Sequence, residues 1–378
     1  MSQRLNKKLQ SRHFMQGMSL PEILAAVLIG LIGIVVIMQV YTASEERKRT
    51  TTGTSDAQIN GNIAMFTLES AIRSAGFGMV SPARNMLGCT TRAHNSNRPA
   101  PDFTFLMAPV AITVGAAGAP DQITVIYGNS PNVVEGLAFV GGAVSGADFP
   151  LKNAAGVLVG DLIVANESGL DCSLAEVTGF VAAATSTVQY ATGGAYSYVD
   201  SAGDTISPVA TQNKGGGSGV DYSASATLYT MGRAPTVVTF QIGNDKLQTR
   251  TLIPYVAAQD TDGDGTSDAD IGDGIVQLKA QYGKDTNGDA VVDTWDNTLP
   301  DDIDPAIRAA LWMQVRAVRI ALLARSGQFE KTAVTAAAPT WSGGAFTMTN
   351  PADGTDWRFY RYRVYETIVP LRNMIWSN

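Results

Sequence analysis

The sequence of 378 residues predicts an α+β protein in which a long N-terminal transmembrane helix packs on an antiparallel, β-rich C-terminal domain. The helix is predicted by an uncharged run, Ile23–Tyr41, which as an α-helix would span about 28 Å, close to the thickness of a bilayer core. The β-rich domain is predicted by short runs of alternating apolar and polar residues between glycine-rich segments. With 45% hydrophobic residues, the chain can bury a core outside the membrane.

A short basic leader precedes the apolar run and ends in Gly17-Met18-Ser19-Leu20-Pro21-Glu22. The leader has no acid, and its four cations place the N-terminus on the cytoplasmic side of a membrane: Arg4, Lys7, Lys8 and Arg12. A secretory signal peptide is cut after its apolar segment, whereas the small residue Gly17 stands before it. Cleavage between Gly17 and Met18 would leave the apolar helix as the new N-terminus. An ordinary signal anchor with an isolated glutamate is the alternative.

Glu22 is a single carboxylate at the start of the apolar helix. Such a group is costly near a membrane unless it finds a partner, and it is functional by default. After cleavage, the free amino group of Met18 on one subunit is a natural partner for Glu22 of a neighbour. Pro21 would then lie in the first turn of the helix, where backbone N–H groups are unpaired in any case, so its missing donor costs little.

The helix is expected to continue beyond the membrane, with a weak point or break at the polar segment Thr50–Ser55. Apolar residues then recur at helical spacing in two stripes, Ile59, Ile63 and Phe66 in one and Met65, Leu68 and Ile72 in the other. Two stripes favour a helix that contacts its own sheet on one side and neighbouring subunits on the other. A fully buried core helix is the alternative. Ala75–Gly78 is expected to end the helix, since glycine is a common helix stop.

The remainder of the chain predicts strands joined by long loops. Strands are predicted at 122–127, 158–165, 236–242, 246–252, 276–282, 318–322 and 358–369. The second pair of these forms a hairpin, because Gly243-Asn244-Asp245 separates its two strands. The last strand is rich in Tyr and Arg, which indicates either a binding surface or a half-buried sheet edge. Exposed loops are predicted at 141–146, 182–203 and 214–219.

Several of these segments resemble PilW-type minor pilins. The N-terminal block is similar to that of the prepilin-type cleavage and methylation superfamily, with Met18 where Phe is usual and Pro21 where Ile or Val is usual. Four later segments carry the resemblance to the PilW group: 73–77, 282–289, 315–325 and 370–373. The stretch between residues 90 and 270 is similar only loosely.

This resemblance implies a pilin-like fold with a leader over 1–17, a transmembrane and assembly helix over 18–78 and a periplasmic β-rich domain over 79–378, with acidic loops near 260–304. It implies a minor pilin of a type IV pilus, cut after Gly17 by prepilin peptidase and N-methylated at Met18, with Glu22 acting in assembly. The expected partners are other minor pilins, the major pilin and the inner-membrane assembly platform. The expected location is the inner membrane, as a single-pass protein with a periplasmic domain, and then the filament at the cell surface.

Two other classes of protein stay open. A pseudopilin of type II secretion shares the N-terminal block and the fold. A membrane-anchored periplasmic enzyme or calcium-dependent binding module would function without cleavage. We do not expect an enzyme, because only His94 remains once the leader is lost and no Gly-x-Ser-x-Gly, His-Glu-x-x-His or Walker A pattern is present. His94 is expected to be an exposed loop residue.

The charge of the chain argues against a nucleic-acid partner. The formal net charge is −7, and loss of the four leader cations takes it to −11. Nucleic-acid-binding domains usually present a basic face instead.

The two cysteines of the chain, Cys89 and Cys172, both follow the predicted anchor. An even pair in an oxidising periplasm predicts a disulfide. A bridge over a loop of that length would stabilise the protein by roughly 4–5 kcal/mol in the chain-entropy model. Two buried free thiols are the alternative.

Two acidic loops have the ligand spacing of a calcium loop. The first places carboxylates at positions 1, 3, 5 and 9 and Gly265 at position 6: Asp260, Asp262, Asp264 and Asp268. The second has Ala290 at position 6 and offers Asp285, Asn287, Asp289 and Asp293. No Lys or Arg lies between Arg250 and Lys279, so the first loop favours Ca²⁺ or an extended conformation. Solvated turns are the alternative, because Asp-Gly is common turn chemistry.

Overall fold

The computed structural model describes residues 19–79, 86–132, 136–140, 146, 148–182, 184–200 and 202–375. The predicted cleavage site, Gly17 and Met18, lies outside these residues. The helices are α1 (Leu20–Ser74), α2 (Pro305–Met313) and α3 (Arg372–Ile375), and short 3₁₀ turns cover Ala116–Gly118, Ala257–Gln259 and Trp357–Phe359.

The strands follow in chain order. They are β1 (Thr90–His94), β2 (Asp102–Leu106), β3 (Val110–Thr113), β4 (Gln122–Tyr127), β5 (Leu137–Ala138), β6 (Asp148–Pro150), β7 (Leu162–Asn166), β8 (Cys172–Glu176), β9 (Gly179–Val181), β10 (Ala184–Gln189), β11 (Tyr198–Val199), β12 (Thr205–Ile206), β13 (Thr227–Gly232), β14 (Thr236–Gly243), β15 (Lys246–Ile253), β16 (Ser267–Asp273), β17 (Ile275–Lys284), β18 (Thr294–Asp296), β19 (Val315–Arg325), β20 (Thr340–Trp341), β21 (Gly344–Ala345) and β22 (Tyr362–Pro370).

The predicted fold class is confirmed: an N-terminal apolar helix is followed by an antiparallel, β-rich domain. The chain divides into two compact units between Gly53 and Thr54. In the first unit, the segment Leu20–Glu45 is 26 residues long with a mean hydropathy of 2.9, and its apolar window is not buried at all. By length and composition it can cross a membrane.

The predicted break at Thr50–Ser55 is wrong, because α1 runs without interruption from Leu20 to Ser74. The hydroxyl of Thr51 donates to the carbonyl of Arg47, 2.9 Å away, so it bonds within the helix and leaves the helical hydrogen bonds intact. Gly53 costs only about 1 kcal/mol relative to alanine in a helix interior. That cost alone is too small to end the helix.

Three larger sheets form the second unit. Their strand orders are β2-β1-β8-β7-β13-β5, β16-β15-β14-β4-β3 and β18-β17-β19-β22. Among the pairings that the structure describes, β1 with β8 is parallel and the rest are antiparallel. The first sheet therefore joins a hairpin near residue 90 to a strand more than 70 residues later.

The second unit contains two extended hydrophobic cores. The main core packs one face of α1 against the five- and four-stranded sheets and includes Leu68, Ile72, Phe240 and Leu322. The second core surrounds Phe149 and lies on the far face of the six-stranded sheet. Strand β7 is buried on both faces, since Leu162 and Val164 belong to the main core and Ile163 and Ala165 to the second.

The predicted hairpin is confirmed as β14 and β15, paired from Gly243 with Lys246 outwards. Asn244 and Asp245 have φ of 52° and 59°, the left-handed values that a two-residue type I′ hairpin turn requires. The loop predicted at 182–203 is wrong in part, because Ala184–Gln189 forms β10 between β6 and β9. Val188 on β10 is fully buried in the second core, so tertiary packing overrides a glycine- and alanine-rich composition.

Candidate functional site

The first turn of α1 is closed by a contact between Ser19 and Glu22. The Oε2 atom of Glu22 accepts hydrogen bonds from the backbone N–H of Ser19 at 3.2 Å and from its hydroxyl at 3.4 Å. The N–H bond is one half of a capping box, in which the third helical residue reaches back to the N-cap. Pro21 lies in this first turn, as predicted, where it removes no intrahelical hydrogen bond. Glu22 itself is exposed, so its carboxylate remains accessible to a further partner.

In the second unit, the two apolar stripes of α1 have different environments. Met65, Leu68 and Ile72 are buried in the main core, which confirms that one side of the helix packs on its own sheets. The other stripe is exposed, with accessible fractions of 54% for Ile59, 48% for Ile63 and 72% for Phe66. The alternative of a fully buried core helix is therefore wrong.

The C-terminal end of α1 is held by the end of the chain. The side-chain amide of Asn373 donates to the carbonyls of Ser74 (3.2 Å) and Ala75 (2.9 Å) at the end of the helix, and the Ser74 carbonyl also accepts the N–H of Phe77 at 3.2 Å. Gly76 then adopts a φ of 77° and donates its N–H to the carbonyl of Ile126 at 2.8 Å. The sequence singled out 370–373 only by resemblance, and this capping contact between distant segments was not predicted.

The first acidic loop folds around Asp260. Its Oδ1 accepts the N–H of Gly263 at 2.8 Å, and its Oδ2 accepts that of Gly265 at 3.0 Å. Carboxylate oxygens of Asp260, Asp262 and Asp264 lie within 4.8 Å of one another. Three oxygen donors at this spacing are chemically suited to a hard cation such as Ca²⁺. The structure thus brings together three of the four predicted ligands of this loop.

Two arginines from outside the loop supply the positive charge that its sequence lacks. The guanidinium of Arg250 on β15 lies 2.6 Å from Asp262, 2.8 Å from Asp264 and 3.4 Å from Asp268. Arg98 is buried, and its Nε donates to the carbonyl of Gly265 at 2.7 Å. Arg250, which faces Asp268 across the two strands, therefore supplies counter-charge that the loop sequence lacks, and calcium binding by the loop stays a prediction.

The second acidic loop repeats the hydrogen bonds of the first. Asp285 accepts the N–H of Gly288 on Oδ1 at 2.7 Å and that of Ala290 on Oδ2 at 3.0 Å, the same offsets of three and five residues. Asp293 accepts the N–H of Thr286 at 2.9 Å. Arg316 from β19 lies 3.2 Å from Asp285, whose side chain is fully buried. In the described part of the chain, neither Asp268 nor the predicted ligands of this loop join a trio of close carboxylates.

The hydrogen bonds of both loops favour the ionised carboxylates. Burial acts to raise the pKa of Asp264, but hydrogen bonds from Thr266 and the charge of Arg250 outweigh it, so the pKa lies below its usual value. For Asp285, burial is likewise outweighed by the two backbone donors and by Arg316, which lower its pKa. The carboxylates of Asp264 and Asp285 are therefore stabilised in their ionised form.

The predicted disulfide joins Cys89 and Cys172, with their Cα atoms 5.9 Å apart. Both residues are buried next to the parallel pairing of β1 with β8. The bridge fastens the β1–β2 hairpin to the rest of the six-stranded sheet.

His94 lies at the end of β1, with its Nδ1 2.8 Å from the carboxylate of Asp102. His94 is partly buried on a strand, so the expectation of an exposed loop residue is wrong.

Comparisons with known proteins identify one family. The family model of type IV pilus-assembly protein W matches residues 239–373, from β14 to the start of α3. No curated protein and no solved structure matches the chain. Three of the four later segments on which the resemblance was based, 282–289, 315–325 and 370–373, lie within the matched residues.

The structure combines an apolar N-terminal helix with an antiparallel, β-rich domain, and the C-terminal part of that domain is similar to a family of type IV pilus assembly. Over residues 239–373 the chain is similar to PilW, and the predicted resemblance to a PilW-like type IV pilus protein is supported. The family is a pilus-assembly family and not an enzyme family. The apolar helix is a candidate membrane anchor.

Proposed function

We propose that this protein is a minor pilin: prepilin peptidase removes residues 1–17, α1 anchors the mature chain in the inner membrane, and the chain primes or enters a type IV pilus with other pilins. The observation that carries the proposal is the exposed stripe of Ile59, Ile63 and Phe66 on a helix whose opposite face is buried. An apolar stripe of this kind marks a protein–protein contact. The match to a pilus-assembly family supplies the context for that contact.

The decisive experiment measures cleavage of the leader. The intact mass of the membrane-bound protein would be measured in cells with and without prepilin peptidase. We expect a mature N-terminus at Met18, N-methylated, only when the peptidase is present. The matched control is Gly17→Val, which enlarges the residue before the cut and leaves the apolar helix unchanged. A mature start other than Met18, or an unprocessed chain that still supports pili, would refute the proposal.

The role of the exposed stripe in the assembly of the protein into pili is tested separately. Phe66→Ser removes the most exposed apolar side chain of the stripe, and Thr67→Ser changes the next residue along the helix conservatively. We expect Phe66→Ser to reduce recovery of the protein in sheared pili, while Thr67→Ser is recovered normally. Loss of type II secretion with normal pili would favour a pseudopilin instead.

Calcium binding by the first acidic loop stays a prediction. It is supported by the three carboxylates within 4.8 Å and by the turn at Gly265, whose φ is 83°. Arg250 contacts two of these carboxylates, Asp262 and Asp264, so a cation would have to compete with its guanidinium. We therefore expect weak binding, on the order of 10⁻⁴ M or poorer, as in extracellular modules.

A further inference from the structure

A cleft of about 530 Å³ lies between the outer face of the β1–β2 hairpin and the loop 213–219. Side chains from both walls reach into it: Arg92, His94, Asp102, Thr104, Asp171 and Lys214. Its volume is in the range typical of small-molecule sites. All of its lining residues precede residue 239, so the cleft belongs to the part of the chain that the family match does not cover.

The two hydrophobic cores lie on opposite faces of strand β8, which lines the cleft. Leu174 faces the main core, whereas Ala175 faces the second core together with Tyr190. Ala175 and Tyr190 are both 2% exposed, so they lie buried beneath the charged walls of the cleft. A ligand that binds through hydrogen bonds to those walls would match this arrangement.

The charged groups of the cleft are balanced in pairs. Nε of Arg92 lies 2.7 Å from the Asp171 carboxylate, and Nζ of Lys214 lies 2.6 Å from that of Asp102. The second carboxylate oxygen of Asp102 faces Nδ1 of His94 at 2.8 Å. Arg92 and Lys214 balance the carboxylates of Asp171 and Asp102, so a phosphate or a metal ion would find no excess of opposite charge.

The loop that closes the cleft is held at both ends. Asn213 is buried; its amide donates to the carbonyl of Glu176 at 2.8 Å, and its oxygen accepts the N–H of Glu176 at 2.7 Å. At the other end, Arg92 donates to the carbonyl of Gly219 at 3.3 Å. The polar groups are therefore positioned before a ligand arrives, which lowers the ordering cost of binding.

We infer that this cleft binds a neutral saccharide unit, in addition to the role of the protein in pilus assembly. Each sugar hydroxyl both donates and accepts, so it can bridge a cation and its neighbouring carboxylate without separating them. Hydrogen bonds to ionised groups are stronger than those between neutral groups. One or two pyranose rings fit the volume of the cleft.

Binding is tested with the full chain in a detergent that contains no sugar. The probes are galactose, mannose, N-acetylglucosamine and lactose, first by saturation-transfer NMR and then by calorimetry. We expect at least one of them to bind with a Kd on the order of 1 mM, and inorganic phosphate not to bind. Arg92→Met and Lys214→Met should each weaken binding at least tenfold.

The matched control is Arg358→Met, because the Arg358–Asp356 pair has the same chemistry at 2.6 Å and a similar exposure to Arg92–Asp171. The Arg358→Met variant should bind the saccharide with the same affinity as the unaltered protein. No saccharide binding, equal affinities in all variants, or binding of phosphate would each overturn the inference. If Arg92→Met lowers the melting temperature, the loss of binding is judged from Lys214→Met instead. Lys214 is an exposed loop residue, so its replacement should leave the fold intact. Pilus recovery reports on the minor-pilin role separately.

Discussion

The ring of Tyr365 on β22 lies against the backbone of α1 at Gly61. A methyl group on Gly61 would overlap the Cε2 and Cζ atoms of this ring. The Tyr365 hydroxyl donates to the carbonyl of Gln58 at 3.2 Å, and burial of the side chain raises its pKa. Gly61 therefore allows the edge strand β22 to approach α1 more closely than any other residue at this position would permit.

Gly61→Ala should destabilise the protein, although alanine is the better helix former by roughly 0.5–1 kcal/mol. Overpacking against Tyr365 costs about 1–3 kcal/mol, so we expect a net loss in the free energy of unfolding. Denaturant melts of the full chain in detergent measure it. The control is Gly33→Ala in the same helix, where nothing lies within 4 Å of the added methyl.

A double-mutant cycle separates this contact from a general effect on the helix. Tyr365→Leu shortens the opposing side chain, so Gly61→Ala should cost less in its presence than alone. Equal losses in the two backgrounds, or a stabilising Gly61→Ala, would show that the ring moves away freely.

Local chemistry explains what the sequence could predict of the fold. The β14–β15 hairpin was predicted in place because Asn244 and Asp245 carry the turn signal between two alternating runs. Strand β8 was missed, because all five of its residues are buried and an alternating pattern is therefore absent. Its pairing with β1 also depends on contacts across about 80 residues, which no local pattern encodes.

For the acidic loops, too, the sequence predicted the local spacing but not the contacts with distant residues. The positions of Asp260, Asp262 and Asp264 follow from spacing alone, and the structure does bring these carboxylates together. Arg250 lies outside the loop in sequence but opposite Asp268 in the β15–β16 pairing. Counting charges along the chain therefore overstated the repulsion within the loop.

Glu22 is predicted to act in assembly by its charge and not by capping its own helix. Glu22→Gln keeps an oxygen that can accept the N–H of Ser19, whereas Glu22→Ala removes it. We expect both variants to be cleaved and anchored, since insertion becomes easier without the charge. Both should be poorly recovered in sheared pili. Normal recovery of Glu22→Gln with loss of Glu22→Ala would indicate that capping alone matters.

Calcium should raise the melting temperature of the protein if the first loop binds it. Binding to the folded state stabilises by RT ln(1 + [L]/Kd), so millimolar Ca²⁺ should raise the melting temperature relative to EGTA. Asp262→Asn should abolish the shift. Arg250→Gln should enlarge it, because the guanidinium that competes for Asp262 and Asp264 is lost. An unchanged melting temperature together with no calorimetric heat would leave the loop as a solvated turn.

Ala290 provides a test of the geometry that the two loops share. It occupies the sixth position of the second loop with a φ of 67°, where the first loop has Gly265 at 83°. A left-handed conformation costs a residue with a Cβ about 1–2 kcal/mol, so Ala290→Gly should raise the free energy of unfolding. Ala269→Gly on β16 is the control and should lower it, since glycine weakens a strand. If both variants change the free energy of unfolding in the same direction, the backbone at Ala290 is not strained.

Asp161 should give the stability of the protein a distinct pH dependence. It is buried at the start of β7, where Leu158 N–H and the Thr230 hydroxyl both donate to its Oδ2 at 2.9 Å, and its Oδ1 has no hydrogen-bond partner in the described structure. Burial raises its pKa above the usual value. The folded state therefore binds a proton more readily than the unfolded state.

This difference in proton binding determines how the stability of the protein changes with pH. Asp161 contributes stability that is fully present below its unfolded pKa of about 3.9 and is lost as the pH rises through its raised folded pKa. Asp161→Asn cannot titrate, so the unaltered protein should lose stability relative to this variant as the pH increases from 4 to 7. Denaturant midpoints at each pH give the difference, and Asp221→Asn, at an exposed position, should run parallel to the unaltered protein. Parallel profiles for Asp161→Asn would mean that the carboxylate is ionised in the folded protein throughout this range, with its charge compensated by a group such as the nearby Arg233.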